Sequence, residues 1–386
     1  MIVVGGGIMG TSTAYFLATE TDRDVLLLEG DAIASGSTGD SSAILRHHYG
    51  PREIYTRMAR WSHNFYREFE ERVDETIAYA ANPLVRFGGE GDSAGEYAKA
   101  GFDVLSSLDI PVTRYDGDEL DGRFPMIDAG ASDFAVSDDT AAYADGTDAA
   151  GGFARAARAA GSTVVTGVAV TDIDVRAGSV TAVETDAGTI ETDDVVVTAG
   201  PWTPRLTATV GVDVPIRRSR EQVLVLEPPA SFSDASGDIP TTGPPGGDWY
   251  VRPDFADGVL VATHHTGEEV DPDSYERTPD EDVMLELIDE VTQFVPDLSD
   301  AELRGQYCGI YSVTPDHDFV IDQVGPEGCY VGCGFSGHGF KHGPAVGKML
   351  TDLLATGDTD LVDAEYFSLD RFKDDPRGHG LPTDDI

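Results

Sequence analysis

Three glycines open the chain at G-x-G-x-x-G spacing, Gly5, Gly7 and Gly10, and an acid, Glu29, stands nineteen residues past the last of them. These residue types at these intervals suit phosphate chemistry. Gly5 allows a tight turn, Gly7 lets a diphosphate approach the backbone, and Gly10 lets a helix pack closely on its strand. The free N–H groups that follow, from Ile8 and Met9 onward, would face the phosphates together with the positive end of the helix dipole. Glu29 can accept hydrogen bonds from a ribose diol and would repel a 2′-phosphate. A second glycine cluster, Gly332 to Gly343, carries His338 and Lys341 and runs into Pro344, a residue suited to a first helical turn.

The elements around both clusters have the order this chemistry needs. Met1 to Val4 is a short apolar strand, Thr11 to Thr19 is helix-compatible, and Asp24 to Leu28 is a second buried strand ending at Glu29. Strand, loop, helix, strand and acid in that order are far more specific than glycines alone. Only four residues precede Gly5, which leaves room for a few residues missing ahead of Met1. In the second unit, Cys329 to Val331 leads into the loop, and Pro344 to Ala355 presents Val346, Met349, Leu350, Leu353 and Leu354 as one apolar face.

Between these units the pattern changes twice. The small-residue loop Gly30 to Gly39 can lie against a flat cofactor, and Pro51 to Val73 repeats Ile54, Met58, Trp61, Phe65 and Phe69 at helical spacing. Leu84 to Phe87, Ser93 to Leu108 and Pro111 to Tyr115 read as strand, helix and strand. Asp145 to Ala160 returns to helix, and short strands fill 163–191. Asp194 to Val197 is a buried strand ending in Ala199-Gly200, small residues that suit packing beside a nucleotide. Strands recur at Gln222 to Leu226, Trp249 to Arg252 and Val259 to Thr263, with a helix from Pro279 to Phe294. The Pro/Gly/Ser-rich stretch Pro228 to Gly247 is expected to be mobile, and the polar tail after Arg371 to fray. The expected fold is an α/β (α+β composite) of a Rossmann-like domain, 1–82, 140–215 and 310–371, and an antiparallel-sheet substrate domain, 83–139 and 216–309. A polar tail covers 372–386.

Composition narrows the function classes. Lys and Arg total 26 against 70 Asp and Glu, a net charge of −44 in 386 residues, with only four lysines. The acids are dispersed, a pattern expected of a cytoplasm at high salt, where cations screen self-repulsion. There is no basic patch for nucleic acid, no apolar run of membrane-spanning length and no charged-then-apolar leader. Cys308, Cys329 and Cys333 form neither a disulfide framework nor a metal-ligand pattern, and no metal site is expected.

Two strand-loop-helix units far apart in sequence favour a flavin over a nicotinamide. One would hold the diphosphate, and the other would aim its helix dipole at the pyrimidine edge of the isoalloxazine. The chain then resembles the D-amino-acid oxidase superfamily of FAD enzymes, in particular its sarcosine and dimethylglycine oxidase or dehydrogenase branch. The resemblance rests on GGGIMG at 5–10, ILRHHYG at 44–50, VVVTAGPW at 195–202, YSVTPDHDFVID at 311–322 and GFSGHGFKHGPAVG at 334–347. It implies that Arg46 pairs with a substrate carboxylate, that Lys341 is the second cation there, and that His338 lies near the flavin. Tyr250, His264 and Tyr311 are weaker pocket candidates, each equally readable as core packing. Along FAD the expected residues are Gly5, Gly7, Ile8, Met9, Gly10, Glu29, Gly36, Ser37, Thr38, Ser41, Ser42, Val168, Ala199, Gly200 and Trp202. Gly309, Gly334, Gly337, His338, Gly339, Phe340 and Lys341 complete the set.

Two departures from the branch matter. Where the monomeric sarcosine oxidases carry a cysteine that binds flavin covalently, this chain has Gly309, with Cys308 one residue earlier, so non-covalent FAD is expected. Where they carry a lysine over the flavin that assists oxygen reduction, an ungapped alignment gives Leu260, which favours a dehydrogenase. The implied reaction is oxidation of an amino acid or N-methylated amino acid (sarcosine, dimethylglycine, glycine or D-amino acid type) at a C–N bond. The electron acceptor, whether oxygen, a quinone or a transfer protein, is left open. The rival readings are an oxygen-reducing oxidase that releases peroxide, and a flavoprotein subunit that is inactive alone.

Overall fold

The computed structural model describes residues 1–130, 132–230, 232, 239–265 and 267–378. Its centre is a six-stranded sheet in the order Val320–Gln323, Cys329–Cys333, Val195–Val197, Ile2–Val4, Leu26–Glu29, Thr163–Thr166. All neighbours are parallel except the first pair. Ile2-Val3-Val4 and Val195-Val196-Val197 are buried along their whole length. That is why both read as continuous β-branched runs rather than alternating ones: a parallel sheet is covered on both faces. Helices Ile8–Glu20, Gly146–Ala159 and Gly343–Thr356 cover one face, and the small sheet Val170–Arg176, Ser179–Thr185, Gly188–Glu191 lies on the other side. The first and last of these helices touch closely. A Cβ on Gly347 would stand 2.6 Å from Ser12 Oγ, and Ser12 donates to the Gly343 carbonyl at 2.9 Å.

The second layer is a four-stranded antiparallel sheet, Trp249–Pro253, Val259–Thr263, Arg217–Glu227, Glu302–Val313. One face packs on helix Glu281–Phe294 and on the sheet Leu84–Gly88, Phe134–Asp138, Val112–Asp116. The other face looks toward the first glycine turn. Strand Glu302–Val313 pairs with Arg217–Glu227 along its length, so the domain division expected at 309/310 falls inside a continuous strand. Two short strands, Ala142–Ala144 and Phe134–Asp138, were not legible, because they are short and half of their residues are Ala or Ser.

Three expectations need correction. The helix expected over Pro51 to Val73 breaks at Glu68 into Glu53–Arg67 and Phe69–Val73. The stretch Pro228 to Gly247 is anchored where described: Phe232 and Ile239 are fully buried, and Asn82 Oδ1 accepts from Thr241 N at 2.7 Å. Residues 231 and 233–238 of that stretch lie outside the described residues. The tail is held to Gly378 by a short helix, Arg371–Asp374, whose Arg371 donates to Asp316 at 2.8 Å. The rest of the expected frayed tail, 379–386, lies outside the described residues. Among the described residues no helix is long and apolar enough to cross a membrane.

Candidate active site

A cavity of about 740 Å³ runs from the first glycine turn to the face of the four-stranded sheet. Its walls at one end are Gly5, Gly6, Gly7, Ile8, Met9 and Glu29. The turn is built so that side chains are excluded. Gly5 has φ +109°, and a Cβ there would stand 2.5 Å from the Thr198 carbonyl oxygen. A Cβ on Gly10 would lie 1.9 Å from the Gly5 oxygen, so Gly10 serves helix packing and does not itself line the cavity. Gly7 meets only Thr38 Oγ1 at 3.0 Å, and its open side faces the cavity. Glu29 accepts from Gly6 N at 2.5 Å and Asp31 N at 2.8 Å. Each carboxylate oxygen still has a lone pair for a diol.

Most residues expected along the cofactor do line this space: Gly36, Ser37, Thr38, Ser41, Ser42, Ala199, Gly200, Trp202, Gly309, Gly337, Gly339 and Phe340. Tyr250 and Tyr311 line it too, and Tyr250 donates to Ser42 at 2.8 Å. Val168, Gly334 and His264 do not. Val168 uses its backbone N–H on the Glu29 carbonyl, and Ala169, Val170 and Thr171 form the wall instead. Gly334 takes φ +69° against Thr314, and His264 sits beside Tyr311 at 3.4 Å.

Arg46, His338 and Lys341 are also absent from the cavity wall. Contrary to the expectation of a ring beside the cofactor, His338 is enclosed among Tyr49, Tyr55 and Phe319. It faces the His317 carbonyl through Nε2 at 3.2 Å and the Tyr49 hydroxyl through Nδ1 at 3.3 Å. A carbonyl only accepts, so Nε2 carries the proton and Tyr49 donates to Nδ1. Burial, Lys341 and His342 all hold His338 well below the ordinary histidine range, so this neutral form persists. Its position explains a structural hold on the loop.

Arg46 and Lys341 belong to a buried cluster with Arg86, Tyr49 and Tyr97. The Arg46 guanidinium lies 4.2 Å over the Tyr49 ring and donates to the His48 carbonyl. Lys341 makes one long hydrogen bond, 3.4 Å to the His338 carbonyl, and burial with Arg46 and Arg86 pushes its ammonium well below the usual lysine range. Asp138 is the nearby acid, and it is already engaged by His47 through the backbone N–H at 2.6 Å and Nδ1 at 3.1 Å. Among the described residues Arg46 and Lys341 therefore come together without a carboxylate in an ion pair with either.

The sheet face opposite the glycine turn supplies what sequence reading missed. Alternation along Arg217–Glu227 turns Ser219, Glu221 and Val223 one way and Arg220 and Gln222 the other, toward Asp280. Glu221 lines the cavity and accepts from Ser219 Oγ at 2.8 Å and Thr263 Oγ1 at 3.0 Å. Burial raises its carboxyl above the ordinary glutamate range. The same alternation puts Gly309 on the cavity and Cys308 on the opposite face with Gln222. Leu260 packs with Val223, Ala262, Tyr250 and Tyr307, and the nearby Arg252 is tied to Asp254 at 3.0 Å. Among the described residues no His, Cys, Asp or Glu group could hold a metal ion.

The family description "DAO: FAD dependent oxidoreductase" matches residues 1–353. The chain belongs to that family. It is 30% identical over 383 residues to monomeric sarcosine oxidase of Bacillus sp. (strain B-0618), covering 96% of this chain and 95% of the relative. It is 28% identical to the human peroxisomal sarcosine oxidase, covering 98% and 97%. Among solved structures it is similar to L-proline dehydrogenase from P. horikoshii, with TM-score 0.87, 25% identity and 97% of each chain covered. Glycine oxidase from Geobacillus kaustophilus shares the fold at TM-score 0.82 and 21% identity, over 95% of this chain and 97% of that one. The cofactor of this oxidoreductase is FAD, and the site fits it. The Gly7 cradle is open where a diphosphate needs backbone N–H groups, and the cavity continues to an aromatic and polar face wide enough for a ring system.

Proposed function

We propose that this FAD-dependent oxidoreductase oxidises an amino acid or N-methylated amino acid at a C–N bond, as a dehydrogenase with non-covalently held FAD. The observation that carries the substrate class is the pair Arg46 and Lys341, buried together and, among the described residues, in no ion pair with an acid. A buried cation without a counter-charge is costly, and a substrate carboxylate removes that cost.

FAD when bound supplies a two-electron acceptor. The chain's own residues would do the rest. The glycine turn and Glu29 would hold the diphosphate and ribose. Arg46 and Lys341 would fix the carboxylate, so that the C–H beside nitrogen is presented in one orientation, and such positioning can supply much of the rate. The amine must give up its ammonium proton before the C–H bond yields a hydride. The imine that results takes up water outside the site. Tyr250 and Tyr311 would border the reacting end.

Non-covalent binding is supported by Cys308, which faces away from the cavity, and by Gly309, which offers no nucleophile. The dehydrogenase reading is supported by the apolar and aromatic surroundings of Leu260. Without a free cation, formation of superoxide, an anion, is not favoured there. The charge of −44 supports work in a cytoplasm of high salt.

The experiment is anaerobic addition of N-methyl, cyclic and D-amino acids, singly, to the flavin-loaded protein in concentrated potassium chloride. Bleaching by one class, with slow recovery of colour in air, is the expected result. Fast recovery with peroxide would make the protein an oxidase. A loaded flavin that no amine bleaches would end the amino-acid reading.

A further inference from the structure

Among the described residues eight arginines are buried or partly buried, Arg46, Arg52, Arg86, Arg114, Arg218, Arg220, Arg252 and Arg371. Six have a carboxylate: Arg52 with Asp318, Arg114 with Glu90 and Asp116, Arg218 with Glu269, Arg220 with Asp280, Arg252 with Asp254 and Arg371 with Asp316. Among the described residues Arg46 and Arg86 have none, and these two share one cluster with Lys341. In a chain with 70 acids and 26 lysines and arginines, three acid-free cations in one place are not a by-product of composition.

Arg86 is the least satisfied of the three. It interrupts the strand Leu84–Gly88, whose Val85 and Phe87 turn toward the apolar core and leave Arg86 on the opposite face, with helix Ser93–Ser107. Its Nε is enclosed and has no hydrogen-bond partner. It makes no ion pair and no hydrogen bond among the described residues, although a guanidinium carries five donors. Burial and the neighbouring Arg46 lower it to about 10, which leaves it a cation at neutral pH. One carboxylate suffices for Arg46 and Lys341. With Asp138 committed to His47, the three cations exceed the cluster's own acid by two charges.

We propose that Arg86 binds a second anionic group of the substrate, so that the preferred substrate is an amino acid carrying two carboxylates rather than one. The inference rests on the proposed oxidation at this site. Arg46 and Lys341 take the carboxylate next to the reacting carbon, and Arg86, the most open of the three, takes the other.

Binding and turnover test this separately. Glutarate and butyrate, which cannot be oxidised, are titrated against the FAD-loaded protein at constant ionic strength, and the flavin difference spectrum is read. Iminodiacetate and its monoamide are then compared by anaerobic bleaching. The dicarboxylate is expected to bind at least ten-fold more tightly in each pair. In Arg86→Gln the ratio between partners falls toward one, and in Arg86→Lys a part of it returns. Because a ratio is read, a general loss of folding or flavin does not imitate the result. Bleaching by monocarboxylates with equal or better affinity would overturn the role of Arg86 and leave amine oxidation standing. A glutarate preference without any bleaching would keep the second anion site and remove the amine reaction. Equal binding of glutarate and butyrate with no bleaching would overturn both.

Discussion

Arg46 is the residue on which the substrate assignment turns most directly. Losing charge-assisted hydrogen bonds to a carboxylate costs about 1.5–3 kcal/mol, roughly ten- to a hundred-fold in affinity. Arg46→Ala should therefore raise KM for a carboxylated amine by about that factor and hardly change it for the decarboxylated amine. Equal effects on both, in steady-state kinetics, would remove Arg46 from the carboxylate site. Glu221 makes a different kind of prediction. Burial raises its carboxyl, so the folded chain holds that proton more tightly than the unfolded chain does. Its ionisation opposes folding, a penalty absent below the unfolded glutamate value and growing as pH rises through the folded one. Glu221→Gln should melt higher than the parent at pH 7, with a gap that shrinks toward pH 4, in a series of thermal melts. Neither Glu221 nor Arg86 was legible as a site residue. Arg86 is a lone charge in an apolar strand and Glu221 one of several charges in the polar half of its strand, and the meaning of each depends on neighbours far away in sequence. Gly5, Gly7 and Gly10 were legible because a turn's demands are met within ten residues. The expected role of His338 beside the flavin came from motif likeness, which carries position along the chain but not the direction of a ring.

At the scale of elements, the two strand-loop-helix units stood out because helix and strand periods alternate with glycine between them. The order of strands in the sheet did not, since Val195–Val197 sits beside Ile2–Val4 by pairing across half the chain. Strand Glu302–Val313 blurred the expected domain division because its first half is polar and exposed and only its second half is buried. The first glycine turn offers a test that separates fold from cofactor. A methyl at Gly10 would meet the Gly5 backbone oxygen at 1.9 Å and the Thr198 hydroxyl at 2.7 Å, so Gly10→Ala must displace the helix from the strand. Overpacking of that kind costs about 1–3 kcal/mol or more. A methyl at Gly7 touches only the Thr38 hydroxyl and otherwise points into the cavity. Gly7→Ala should keep the parent's far-ultraviolet circular dichroism and apo melting temperature while losing bound flavin, and Gly10→Ala should lose both. Normal flavin content in Gly7→Ala would displace the diphosphate from this turn.

For the whole molecule, charge and buried histidines set opposing demands that salt can separate. A net charge of −44 makes the compact state repel itself, and at 1 M salt the screening length falls to about 3 Å. The melting temperature should rise steadily from 0.1 M to 2 M potassium chloride, and a flat response would remove the case for adaptation to high salt. Lowering the pH at low salt mixes relief of repulsion with the titration of histidines, whereas 2 M salt leaves mainly the histidines. Six of the nine are held below the ordinary value, His48, His63 and His265 to about 3, His317 to about 4, and His338 and His342 well below it, with burial the largest cause in each. The unfolded chain binds protons at these positions near pH 6.5 and the folded chain does not, so stability is full above pH 6.5 and is lost as pH falls toward the folded values. Six such groups remove at most about 7 kcal/mol between pH 7 and pH 5.5, comparable to the whole stability of a typical domain. Chemical denaturation in 2 M potassium chloride should therefore show a steep loss of stability across that interval, before the carboxylates titrate. His338→Gln or His342→Gln should flatten the slope by about one proton each, and a slope unchanged by both would mean that these rings are already charged in the fold.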